Sequence, residues 1–132
     1  MLAEHKIRTL THQLADILTS YAESFDAWSR DPSDVGRYER TRANLDLVQV
    51  ITEKAFPGGR GELGELLLYH GDLKLMVLRQ HMSQLSGRRA PGWEAIGPLR
   101  LRHDAMVSAL RSVCLARSGL KEQSSPQTCA AP

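Results

Sequence analysis

Apolar side chains recur along this chain mainly at steps of three and four, the spacing that lines one face of an α-helix. The clearest run is Ile7, Leu10, Leu14, Ile17, Tyr21 and Trp28, and Leu18 and Phe25 widen the same face. No Gly or Pro interrupts it. The pattern predicts a first helix from about Leu2 to Arg30, ended by Asp31-Pro32-Ser33 because Pro cannot continue the backbone bonding. Ser33 or Asp34 can cap a second helix that runs to about Phe56. Its buried side would carry Val35, Tyr38, Leu45, Val48, Ile51 and Ala55, with Thr52-Glu53-Lys54 polar before the stop.

Pro57-Gly58-Gly59-Arg60-Gly61 is a clear break. The third segment, Glu62 to Ser86, is the most apolar, with Leu63, Leu66, Leu67, Leu68, Leu73, Leu75, Met76, Val77 and Leu78 covering nearly all sides. A helix apolar all round belongs at the centre of a fold or in an interface. Gly71-Asp72 leaves open whether this segment is one helix or two. After a second break at Ser86 to Gly92, a short helical turn around Trp93 to Ile96 precedes the last long helix, opened by Pro98 and ended near Ser118-Gly119. Leu99, Met106, Leu110 and Val113 would form its buried stripe, with His103 in register. No internal repeat is visible, and only Leu66 to Tyr69 could be argued as a strand. The expected fold is all-α: one domain of about four helices over residues 1–118, a bundle or related array, with a Ser/Gln/Pro/Ala-rich disordered tail over 119–132.

Composition changes this picture little. A chain of 132 residues can bury a core without metal or disulfide support. No apolar run approaches the ~20 residues that span a bilayer, and the polar start (Glu4, His5, Lys6, Arg8) is unlike a signal peptide. A cytoplasmic location is expected. Of two cysteines, Cys114 reads as a buried thiol and Cys129 falls in the tail, with no Cys-x-x-Cys pair. Thirteen Arg against four Lys is a skew common in chains from GC-rich bacterial genomes. Charge does matter, because it is uneven: residues 1–34 carry −3 and residues 87–132 carry +4. The two ends can neutralise each other within a bundle, or the basic third can face nucleic acid.

Candidate chemistry is sparse. His5, His12, His70, His81 and His103 are scattered and no Glu-x-x-His pair occurs, so no metal or other cofactor is expected. His70-Gly71-Asp72-Leu73-Lys74 resembles, over five residues only, the phosphorylated site of histidine phosphotransfer domains, helical bundles of similar size. In that family Lys comes before Gly, an order reversed here. The resemblance would imply an exposed phosphoacceptor at His70. Cys114 has no neighbouring base, and Gly58-Gly59-Arg60-Gly61 lacks the Lys-Ser/Thr of a phosphate loop, so the chain does not read as an enzyme.

Two functional readings remain. In the first, a small regulator, adaptor or chaperone-like protein acts through helix-mediated protein–protein contact as a homodimer. Leu14, Ile17, Tyr21, Phe25 and Trp28 of the first helix, with Leu67 and Met76 of the third segment, are its candidate partner-binding residues. In the alternative, a DNA-binding regulator uses Arg88, Arg89, Arg100 and Arg102 around a short reading helix near Ala90 to Ile96.

Overall fold

The computed structural model describes residues 3–88 and 93–119. Four long helices dominate: α1 Glu4–Arg30, α2 Val35–Ala55, α3 Arg60–Leu85 and α4 Ile96–Ser118. Short 3₁₀ turns at Pro57–Gly59 and Trp93–Ala95 precede α3 and α4. The all-α expectation holds for the described residues, while most of the expected tail and part of the 86–92 break lie outside them.

The chain runs up-down-up-down. Asp34 caps α2, its Oδ1 accepting from the Arg37 amide at 3.2 Å, and it also pairs with the Arg37 guanidinium. This carboxylate offsets the positive charge that an unoccupied helix start would repel. Arg37 further donates to the Ala27 carbonyl at 3.0 Å, tying the start of α2 to α1. The α2–α3 corner depends on Gly59, where a Cβ would stand 2.5 Å from the Phe56 ring. α1 packs closely against both α2 and α4, and α3 closes mainly on α4, so α1 and α3 lie on the bundle diagonal. α3 continues unbroken through Gly71-Asp72 as one helix.

The core is built from Leu14, Leu18, Tyr21 and Phe25 of α1, Val48 of α2, Leu66 and Leu73 of α3, and Leu110 and Cys114 of α4, with Trp28, Phe56 and other nearly buried apolar residues around them. Several stripes are rotated from the sequence expectation. On α1 the buried face includes Thr11, Ala15 and Leu18, while Ile7, Leu10 and Ile17 sit at its edge. On α2, Val35 is exposed, and Thr41 and Thr52 replace it inside by turning their hydroxyls onto the carbonyls of Arg37 and Val48. A threonine hydroxyl bonded in this way has its hydrogen-bonding demand met within its own helix, so the side chain can be buried without stranding a polar group. On α4, Val107 and Cys114 are buried and Val113 is turned outward. The largest departure is α3. It is not the central helix: only Leu63, Leu66, His70, Leu73 and Val77 are buried, and Leu68, Leu75, Met82 and Leu85 face out.

Candidate functional site

Two features stand out, one inside the bundle and one on its surface. Inside, Tyr21 of α1 sits between two imidazoles: its Oη lies 2.8 Å from His70 Nδ1 on α3 and 2.7 Å from His103 Nε2 on α4. His103 Nδ1 in turn lies 2.9 Å from the Asp104 carboxylate. The roles along this chain follow from its end. A carboxylate only accepts, so His103 Nδ1 carries a proton, and the Nε2 of the neutral ring is left as an acceptor. Tyr21 therefore donates to His103 and must accept from His70 Nδ1–H. All three buried groups are satisfied in one direction, from α3 through α1 to α4.

Burial sets their protonation. Removal from water disfavours charge, holding His70 down to about 4, with His103 and Lys74 nearby adding to the effect. Burial also lowers His103, although its bond to Asp104 opposes the shift. The Tyr21 hydroxyl is pushed far up, chiefly by burial, and stays protonated. The Phe25 ring packs against both imidazoles, with centroids 4.6 and 5.2 Å away. His70 is 8% exposed, so it is not the accessible phosphoacceptor that the five-residue resemblance would require. Beside His103, a cleft of about 280 Å³ is bordered by Glu23, Asp26, Arg100 and Asp104. Cys114 lies apart from this group, its thiol raised to about 11 by burial, which suits packing rather than nucleophilic attack. Among the described residues, no three His, Cys, Asp or Glu side chains group as metal ligands.

The surface feature is the outward face of α3. Leu68, Leu75 and Met82 follow each other at intervals of seven, and they are 69%, 50% and 66% exposed. Gly61, Gly64, Gly71, Leu78 and Leu85 complete a second stripe of alternating three- and four-residue steps, almost opposite the buried one. A Cβ added at Gly61, Gly64 or Gly71 would meet nothing within 4 Å. The stripe is thus a row of large apolar knobs interrupted by bare backbone. At Leu78 it borders an apolar cleft of about 190 Å³ shared with Trp28, Pro32, Val35, Tyr38 and Lys74. The Lys74 ammonium lies 5.0 Å from the Tyr38 ring centroid. This seam was readable from the sequence, but the other leucines of the segment hid its spacing.

The residues singled out from sequence fall elsewhere. Leu14, Tyr21, Phe25 and Trp28 are buried in the chain's own core, and Ile17 and Leu67 pack against it half-covered. Met76 is half-buried on the flank of α3. The stripe on α1 is therefore already covered by the chain's own helices. Among the basic candidates, Arg88 and Arg102 are exposed and Arg89 lies outside the described residues. Arg100 turns toward α1, 3.6 Å from Asp26. Of the segment expected to read DNA, residues 93–95 form a single 3₁₀ turn leading into α4.

Together these features define an all-α, up-down-up-down bundle with a satisfied polar group at its centre and an uncovered apolar seam on one helix. No family model, curated protein or solved structure matches the chain. Among the described residues, no helix is long and apolar enough to cross a membrane.

Proposed function

We propose that this protein is a small non-enzymatic bacterial regulator or adaptor of the cytoplasm that works by helix-mediated protein–protein contact, as a homodimer. One observation carries the reading: the outward stripe of α3, where Leu68, Leu75, Met82 and Leu85 stand together in water. Single exposed apolar residues need no explanation, but an aligned set along a 26-residue helix does. The contact surface is the outside of α3, in place of the aromatic end of α1. The buried Tyr21–His70–His103 group supports the same reading, since the Tyr21 hydroxyl and the two imidazole nitrogens facing it are taken up by one another.

A photoreactive residue placed at Leu75 in the native cell tests the proposal. The expected result is a covalent protein adduct at position 75, with none from the charged outer position Glu53. Absence of any adduct at Leu75 in cells that express the protein normally would remove the interaction reading.

A further inference from the structure

We infer that the occupant of the α3 seam is the α3 of a second copy, lying antiparallel with its two-fold axis beside Leu73. The inference rests on the interaction reading above and names the partner and its register. It starts from the sizes along the stripe. In order, the seam reads Gly61, Gly64, Leu68, Gly71, Leu75, Leu78, Met82, Leu85, so small residues dominate its first half and large ones its second. Two parallel copies in register would stack Leu68, Leu75 and Met82 on themselves and leave Gly64 and Gly71 facing Gly64 and Gly71. Such a pair is filled from Leu75 to Leu85 but hollow at the Gly61, Gly64 and Gly71 layers, and voids of that size are costly in a packed interface.

Turning one copy end for end removes the conflict. In an antiparallel pair each residue of one seam position meets one of the other position. With the axis beside Leu73, Leu75 meets Gly71 of the second copy, Met82 meets Gly64, and Leu85 meets Gly61. Each exposed knob then enters a place where the opposing backbone is bare and a Cβ has open space above it. Leu68 alone meets a large residue, Leu78. Leu78, however, borders the apolar cleft beside Trp28, Val35 and Tyr38, which has room for a leucine side chain. The 67% exposure of Val35, otherwise unexplained, is covered by the same contact. Sliding the pair by one heptad in one direction leaves Met82 and Leu85 beyond the start of the opposing helix. Sliding it in the other sets Leu75 against Leu78 and Leu85 against Leu68.

Charge agrees with size along one edge. The exposed flanking positions there are Glu65, Asp72 and Arg79. In this register Glu65 of one copy lies beside Arg79 of the other, twice over. Asp72 meets its own mate on the axis, the one repulsive pair on that edge. On the other edge Lys74 also meets its own mate, each ammonium standing over its own Tyr38 ring.

Light scattering and sedimentation across a dilution series of the full chain test the assembly. The expected result is a dimer that Gly71→Leu weakens at least tenfold while far-UV helicity is kept, since the new side chain has open space in the single copy. Glu65→Arg and Arg79→Glu should each weaken the dimer several-fold, and the two together should restore it. Asp72→Asn should tighten it. Orientation is read by a short bis-maleimide acting on single cysteines in a Cys129→Ser background, Cys114 being buried. Asp72→Cys should cross-link, whereas Met82→Cys should not, because antiparallel copies hold those positions about 27 Å apart at 1.5 Å per residue. A monomer at every concentration overturns the inference, as does cross-linking through Met82→Cys in place of Asp72→Cys, or a dimer indifferent to Gly71→Leu. A monomer that still gives a foreign-protein adduct at Leu75 in cells would sink the second copy and keep the interaction reading. A monomer without any adduct would sink both.

Discussion

α1 and α3 are diagonal partners in the same bundle and both are rich in apolar residues, yet they spend them differently. α1 concentrates its large side chains on one broad face, and α2, α4 and α3 cover that face. α3 divides its apolar residues between two opposite stripes, of which the bundle covers one. The polar residues within each stripe mark the difference. The covered stripe of α3 contains His70, which has a fixed partner in Tyr21. The uncovered stripe contains glycines, which offer shape without a partner. Apolar content alone states how much surface a helix must hide. The small and polar residues interrupting it indicate where the cover comes from.

The sharpest way to break this contrast is to truncate one leucine on each stripe of α3. Leu66→Ala, on the fully buried stripe, should cost about 2–5 kcal/mol of folding stability in denaturant unfolding. Leu75→Ala on the outer stripe should leave the fold of the single chain within about 0.5 kcal/mol of the parent, measured at concentrations where it is monomeric. Equal losses at the two positions would mean that the stripes are not distinct.

Acid should weaken the fold through the inner stripe. His70 is neutral in the fold, held near 4, whereas an unfolded histidine titrates near 6.5. Between those values the unfolded chain binds more protons, so stability is full above about pH 6.5 and declines as pH falls toward 4. The loss should approach the order of 3 kcal/mol, with His103 acting in the same direction. Urea midpoints recorded from pH 7 to 4 read it, and a flat profile in this window would show that His70 is not held neutral.

Removing only the shared hydroxyl is a smaller perturbation. Tyr21→Phe keeps the ring and strands one donor and one acceptor, which should cost about 1–3 kcal/mol. It should also let the two imidazoles titrate independently in proton NMR. The smallest expected effect has the opposite sign. Gly71→Ala adds a methyl group to a half-exposed helix interior position with open space above it, and should stabilise the single chain by about 0.5–1 kcal/mol. A thermal midpoint that falls instead would mean that something within the chain needs Gly71 bare.

Much of this molecule was legible in its sequence. The four helices, the Asp34 cap and the Pro57–Gly61 corner follow from local rules, because caps and breakers act over a few residues. Rotation of the stripes was less readable. Thr41 and Thr52 look polar in sequence, but their hydroxyls close onto their own helices and their methyl groups enter the core. Val35 looks apolar, yet it stands in the first turn of α2 and is largely exposed. The Tyr21–His70–His103 group was out of reach, since its histidines lie 49 and 82 residues from Tyr21 and only the packing of α1 against α4 and across the diagonal to α3 brings them together. The outer seam of α3 could have been found by asking which of its leucines share a period of seven with glycines. Counting apolar residues by segment concealed it.

The central tyrosine also settles a matter of alignment. Helices with heptad-like stripes are nearly indifferent to sliding past one another by seven residues, because leucine replaces leucine at each level. A hydroxyl that must stand level with two imidazoles on two other helices has no equivalent seven residues up or down: α1 carries Leu14 at one such place and Trp28 at the other. The Tyr21 contact acts as a dowel through three helices, admitting a single vertical setting of the bundle. Without it, apolar cover could persist while the chain divided among several settings, visible as doubled amide resonances in Tyr21→Phe. In this protein a few ångströms of polar contact decide which of several well-covered arrangements is the native one.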